Sequence, residues 1–191
     1  KRCFVLSLTN ILILQSMDSV RKIVVIGGES TGKSTLCARL ASAYDTCWVR
    51  EYAREYLEKL NRAYVFEDLV LIANGQIKLE EIELANAKNF LFCDTDLQVI
   101  QLWSEYKFGH CDPWILHEIS CRKYDGYILT APDFPWESDP LREHPEPHLR
   151  SYFFEYYKRI LQKSQLPFCI ADGSEENRFL LATQFIEQLR T

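Results

Sequence analysis

The sequence predicts an α/β fold: a five-stranded parallel sheet with helices on both faces and a lid. Three observations predict it. Five short apolar runs, rich in β-branched and aromatic residues, alternate with longer stretches of helical character. That alternation implies crossover helices on both faces of a sheet whose strands are buried on both sides. Between the first run and the first helix lies Gly27-Gly28-Glu29-Ser30-Thr31-Gly32-Lys33-Ser34-Thr35, which fits G-x-x-x-x-G-K-[ST], the phosphate-binding loop. After the fourth run, residues 132–147 hold five of the seven prolines and read as a long loop, a length usually tied to function in a compact domain.

The elements follow in order. Ile23-Val24-Val25-Ile26 is the first strand, and Ser34 to Tyr44 the first helix. Thr46-Cys47-Trp48-Val49 is a second short strand that ends at Arg50-Glu51, before a helix through Leu57. A long helix covers 66–89 with Gly75 inside it, where a glycine costs ~1 kcal/mol against alanine and marks a kink, a close approach or plain tolerance. Phe90 to Cys93 is the third strand, running into Asp94-Thr95-Asp96, with helices to about Lys107 and over Pro113–Cys121. Gly126 to Thr130 is the fourth strand, His148 to Lys163 a helix, Phe168 to Ala171 the fifth strand, and Asn177 to Arg190 the last helix.

Length and composition bound the function. The 191 residues suit one domain at ~100–200 residues each. With 47% apolar residues the chain is globular, and a net charge of −5 without a Lys/Arg cluster argues against nucleic acid as a partner. Seven cysteines, an odd number with no C-x-x-C, read as reduced thiols of a cytoplasmic protein. Residues 1–16 have a basic end and an apolar middle that Asn10 interrupts, too short to span a bilayer. They read as an upstream or non-native extension, with 17–191 as the P-loop domain. A packed extra element or an export segment are the alternatives.

On a parallel sheet, ligands bind beyond the carboxyl ends of the strands. There the glycine loop would receive ATP phosphates, through backbone N–H groups from Gly27, Gly28, Glu29, Ser30, Thr31, Gly32 and Thr35. Gly27 and Gly32 lack the Cβ that would block phosphate oxygens. Lys33 would reach the β- and γ-phosphates, and Ser34 would ligate Mg²⁺. Asp94, after four apolar residues, is a second Mg²⁺ ligand, with its strand expected beside that of the loop. Asp96 reads as a substrate contact or a helix N-cap. Glu51, ending strand two, is the candidate to orient an attacking hydroxyl and take its proton, with Asp94 as the rival. Arg142 and Arg150 on and after the long loop suit a lid that neutralises charge in transfer. The Asp172-Gly173-Ser174 turn suits the rim of an adenine site, and no N-K-x-D points to guanine.

Several segments together resemble one family. They are the loop with Glu29-Ser30, Arg50-Glu51-Tyr52-Ala53-Arg54, Ile72-Ala73-Asn74-Gly75-Gln76, Phe92-Cys93-Asp94-Thr95-Asp96, Trp103-Ser104 with Phe108-Gly109, and Pro132-Asp133-Phe134-Pro135-Trp136. In order and spacing they resemble the ribosylnicotinamide kinase domain of the bacterial NAD-biosynthesis regulator NadR, over residues 22–190. The resemblance implies a nucleoside/nucleotide-kinase-like P-loop NTPase. It would use ATP and Mg²⁺ to phosphorylate the 5′-hydroxyl of nicotinamide riboside. Of the other domains that accompany the kinase in the full-length regulator, no counterpart occurs in these residues. The resemblance also suggests an aromatic face for a cationic nicotinamide ring, with Trp103 first and Tyr52, Tyr56 and Trp136 after it. Gln76 would bond the ligand amide. Two alternatives stand beside this one: a nucleoside or nucleotide kinase of other specificity, and an ATP-binding regulatory protein with little transfer. No membrane association is expected, and the oligomeric state is left open.

Overall fold

The computed structural model describes residues 20–190; the expectation for residues 1–16 falls outside them. Five strands form one parallel sheet: β1 (Arg21–Ile26), β2 (Trp48–Val49), β3 (Phe90–Asp94), β4 (Gly126–Thr130) and β5 (Phe168–Ala171), in the order β2-β3-β1-β4-β5. Among the described residues, seven helices connect and follow them: α1 (Lys33–Ala43), α2 (Tyr52–Leu60), α3 (Phe66–Asn86), α4 (Leu97–Phe108), α5 (Pro113–Cys121), α6 (Pro147–Ser164) and α7 (Glu175–Arg190).

The period of two along each strand divides the core between the faces. Ile23 and Val25 point to one side, with Phe90, Phe92 and Ile128, and pack on Leu36, Cys37 and Leu40 of α1 and Phe185 and Ile186 of α7. Val24 and Ile26 point to the other, with Leu91, Cys93, Tyr127 and Leu129, against Val99 and Leu102 of α4 and Phe153, Tyr157 and Leu161 of α6. A third cluster, built from Ala53, Leu69, Ile72, Ala73, Ile100 and Ile115, joins α2, α3, α4 and α5 at the β2 side. Among the described residues no helix is long and apolar enough to cross a membrane.

Boundaries shift in places. β2 keeps only Trp48 and Val49, because Thr46 turns its hydroxyl to the Phe90 carbonyl at 2.7 Å and accepts from the Lys88 N–H at 3.1 Å. The long helix stops at Asn86, and α7 begins two residues earlier than its periodicity suggests.

Candidate active site

The expected strand order is found, and it fixes the site. β3 lies between β2 and β1, with Val25 of β1 opposite Asp94. Val49 pairs with Cys93, so Glu51 and Asp94 leave neighbouring strands at the end where the glycine loop leaves β1. Thr95 takes φ 75, in the left-handed region that a β-branched residue rarely adopts, and its N–H donates to the Val25 carbonyl at 3.0 Å. This turn ends β3 on the loop side and faces Asp94 toward Ser34.

The glycine loop is preorganised by its own hydrogen bonds. The Thr31 hydroxyl lies 2.8 Å from the Gly28 carbonyl, to which it can donate, and is hydrogen-bonded to the Thr130 hydroxyl at 2.7 Å, and both hydroxyls are buried. Lys33 Nζ donates to the Gly28 carbonyl at 2.8 Å. Gly32 caps α1 with φ 77, no side chain caps that helix, and no acidic residue occupies its first turn. The free N–H groups and positive end of the dipole suit a phosphate there. The glycines also answer to a constraint within the protein. A Cβ on Gly27 would stand 2.2 Å from Thr130 Oγ1, and one on Gly32 would stand 2.8 Å from the Phe134 ring. The missing atoms make room for β4 and for the loop after it.

Ser34 Oγ donates to Asp94 Oδ2 at 2.5 Å, while Asp94 Oδ1 is buried without a partner. A hydroxyl and a carboxylate oxygen side by side, with one lone pair set unused, are hard-oxygen donors of the kind Mg²⁺ takes. Burial raises the Asp94 carboxyl, and the Lys33 ammonium and Ser34 hydroxyl offset only part of that rise. Burial likewise raises Glu51, to about 7, with Lys33 and Arg54 opposing and the carboxylates of Asp94 and Glu29 adding to the rise.

A cleft of about 930 Å³ runs over this end of the sheet. Its walls include the whole loop from Gly27 to Thr35, with Glu51, Arg54, Asp94, Trp103 and Arg142. A second recess of about 360 Å³ opens beside it and shares Glu29, Trp103, His144 and Phe153 with it. Tyr64, Tyr106 and Lys107 complete much of that recess. Both volumes lie in the range of small-molecule sites.

The loop at 132–146 folds across the phosphate-binding loop and is tied to it by side chains. Glu29 accepts from the N–H groups of Glu143 and His144, each at 3.0 Å at best. Ser30 donates to the Pro135 carbonyl at 3.3 Å and accepts from the Glu137 N–H at 3.0 Å. Arg54 of α2 pairs with Asp139 at 2.6 Å. Arg142 faces the cleft, donating to the Glu137 carbonyl at 2.6 Å. Arg150 instead donates to the carbonyls of Ser30 (3.2 Å) and Phe134 (2.9 Å), so it docks this loop onto the phosphate-binding loop.

Other expected site residues have different tasks. Asp96 is buried as the N-cap of α4: it accepts from the Gln98 N–H at 3.0 Å and from the Tyr127 hydroxyl at 2.9 Å, and it does not line the cleft. Desolvation raises its carboxyl to about 7. Gln76 is also buried, with its amide on the backbone of residues 50 and 52 rather than facing a ligand. Tyr52 packs its ring on Gly75, and Tyr56 donates to Asp68 at 2.8 Å. Trp136 stands 5.8 Å from the Arg150 guanidinium, outside the walls of both recesses. Gly173 takes φ 72 and its N–H donates to Asp133 at 2.6 Å, likewise away from those walls.

Arg178 is the residue that sequence reasoning missed. Only 2% exposed, it donates to the carbonyls of Thr31, Ala131, Ala171 and Gly173, pairs with Asp133, and lies 3.9 Å from the Phe134 ring centroid. One guanidinium thus joins the ends of β4 and β5 to the phosphate-binding loop. Arg178→Met should cost about 3 kcal/mol or more, since four carbonyls and a carboxylate lose their donor. Thermal unfolding of the variant measures it; an unchanged melting temperature would deny Arg178 this role.

A family model described as AAA domain matches residues 22–178. The chain belongs to the AAA-domain family. The motif-based resemblance is borne out in the relatives of this AAA domain. It is 27% identical over 175 residues to the trifunctional NAD biosynthesis/regulator protein NadR of Salmonella typhimurium, and equally to that of Escherichia coli K12. The alignment covers 89% of the chain and 43% of each relative, so the AAA domain spans less than half the length of the curated relatives it matches. A crystal structure of NadR protein in complex with NR superposes with a TM-score of 0.77 at 22% identity, covering 93% of this chain and 53% of that one. NadR protein with NAD and AMP-PNP gives 0.78 at 23% identity, over 93% and 51%. A deoxyadenosine kinase from M. mycoides gives 0.59 at 16% identity, over 87% of this chain and 99% of that one. The fold of this AAA domain is therefore that of nucleoside kinases and NadR.

Proposed function

We propose that this protein transfers the γ-phosphoryl group of ATP to the 5′-hydroxyl of a nucleoside, and that the nucleoside is nicotinamide riboside. The observation that carries the reading is the placement of Glu51 and Asp94. They stand on adjacent strand ends in one cleft with Lys33 and Ser34, one carboxylate hydrogen-bonded to the serine and the other not.

The roles follow from that division. The α1 N-terminus and loop N–H groups hold phosphate oxygens, and Lys33 adds a mobile positive charge. Ser34 and Asp94 would hold Mg²⁺, which supplies charge neutralisation at the phosphates when bound. Glu51 orients the acceptor hydroxyl and receives its proton. A carboxylate raised to about 7 is well matched to this near neutral pH. Arg142 offers its guanidinium to charge that grows on the phosphoryl oxygens. The recess lined by Trp103 and Tyr106 offers aromatic faces to a flat ring, and a cationic nicotinamide gains most from them. The similarity to NadR, a NAD biosynthesis protein, favours that ring over other bases. Six free thiols among the described cysteines suit a reducing cytoplasm.

The test is ADP release measured across a panel of acceptors. We expect kcat/KM to be highest for nicotinamide riboside. Equal or higher values for another nucleoside would move the substrate elsewhere. In the same assay Arg142→Ala should lower kcat by about 10²-fold while changing KM little, since its contact strengthens as charge shifts. Unaltered kcat in that variant would remove Arg142 from catalysis.

A further inference from the structure

We infer that Gln76 is a positioning residue that aims Glu51 by gripping the backbone on both sides of it. The inference rests on the reading of Glu51 as the base. Glu51 is the N-cap residue of α2, with φ −67 and ψ 110, yet its side chain makes no capping hydrogen bond. The start of α2 is held from outside instead. Gln76 Oε1 accepts from the Tyr52 N–H at 2.8 Å, and Gln76 Nε2 donates to the Arg50 carbonyl at 3.2 Å. One primary amide thus satisfies a donor after Glu51 and an acceptor before it, and leaves the carboxylate for the cleft.

The clamp stands on firm ground. Gln76 is 3% exposed in the middle of α3, beside Ile72 and Ala73 of the core. Its neighbour Gly75 adds a third hold. A Cβ there would stand 2.0 Å from the Tyr52 ring, so the ring lies directly on the helix backbone. Gly75 and Gln76 therefore fix both neighbours of Glu51 to one helix. β2, with only two residues paired, has little of its own to fix that strand end. A small turn of the 50–52 backbone would swing the carboxylate away from an acceptor hydroxyl, and misplacement by about 1 Å costs ~10²-fold.

A double-mutant cycle on single-turnover transfer from Mg·ATP to nicotinamide riboside tests this. Gln76→Met keeps the volume and removes both hydrogen bonds. It should slow transfer by about 10–10²-fold and leave the Mg·ATP dissociation constant unchanged. Gln76→Glu keeps the acceptor for the Tyr52 N–H and should recover part of the rate. In a Glu51→Gln background, Gln76→Met should cause no further loss, because it acts through Glu51. Should Gln76→Met fail to fold, Gly75→Ala carries the same cycle by displacing Tyr52. Additive losses would overturn the inference, as would wild-type transfer in a folded Gln76→Met variant. If Glu51→Gln itself keeps wild-type transfer, the base assignment falls and the inference falls with it. Additivity beside an inactive Glu51→Gln defeats the clamp alone.

Discussion

Glu51→Gln is expected to lower phosphoryl transfer by ~10²–10⁴-fold while leaving Mg·ATP affinity near the wild-type value. The amide keeps the size of the carboxylate and removes only its capacity to take a proton. Nothing in the phosphate-binding loop depends on it, since Ser34, Lys33 and Thr31 bond to Asp94, Gly28 and Thr130. Asp94→Asn should behave in the opposite way, weakening Mg²⁺ dependence and transfer together, because Asp94 Oδ1 is the unpartnered oxygen beside Ser34. Calorimetric titration of Mg·ATP into each variant, beside single-turnover rates, distinguishes the two. If Glu51→Gln loses Mg·ATP affinity and Asp94→Asn keeps it, the roles are reversed. The same assignment has a pH signature. Glu51 is raised to about 7, so kcat/KM of the wild type should fall as pH drops through that region and the base becomes protonated.

Lys33→Ala should reduce transfer by at least ~10²–10³-fold and leave the fold intact. Its ammonium donates to the Gly28 carbonyl, which also accepts from Thr31 at 2.8 Å. Removing the lysine therefore leaves that carbonyl partnered, and the melting temperature should change little. The loss falls on phosphate contact, and on the two carboxylates that Lys33 holds down. Near wild-type turnover in this variant would remove the phosphate-binding loop from the chemistry.

The fold and the phosphate end of the site were legible because their signals are local. A strand buried on both faces reads as an unbroken apolar run, and the glycine loop must follow one strand and open one helix. Residues whose roles come from distant partners were not legible. Gln76 looked like a ligand contact, but its amide meets residues 50 and 52 only once α3 packs on α2. Asp96 kept only its N-cap role, because Tyr127 of β4 comes up beneath it. Gly27 answers to Thr130, and Arg178 to four carbonyls from three separate segments. No spacing rule reports such contacts. The aromatic recess was half legible: Trp103 stood out through the resemblance and Tyr106 follows it on α4, whereas Tyr64 and Phe153 reach the recess from other elements.

The central claim is that the cleft joins a phosphoryl donor to a nucleoside acceptor. Its most direct test follows the γ-phosphoryl label of ATP in a single turnover of the purified chain with Mg²⁺, with and without nicotinamide riboside. The account predicts label in nicotinamide mononucleotide when the riboside is present and almost none in free phosphate when it is absent. Release of labelled phosphate at the same rate in both reactions, with none in the mononucleotide, would contradict it.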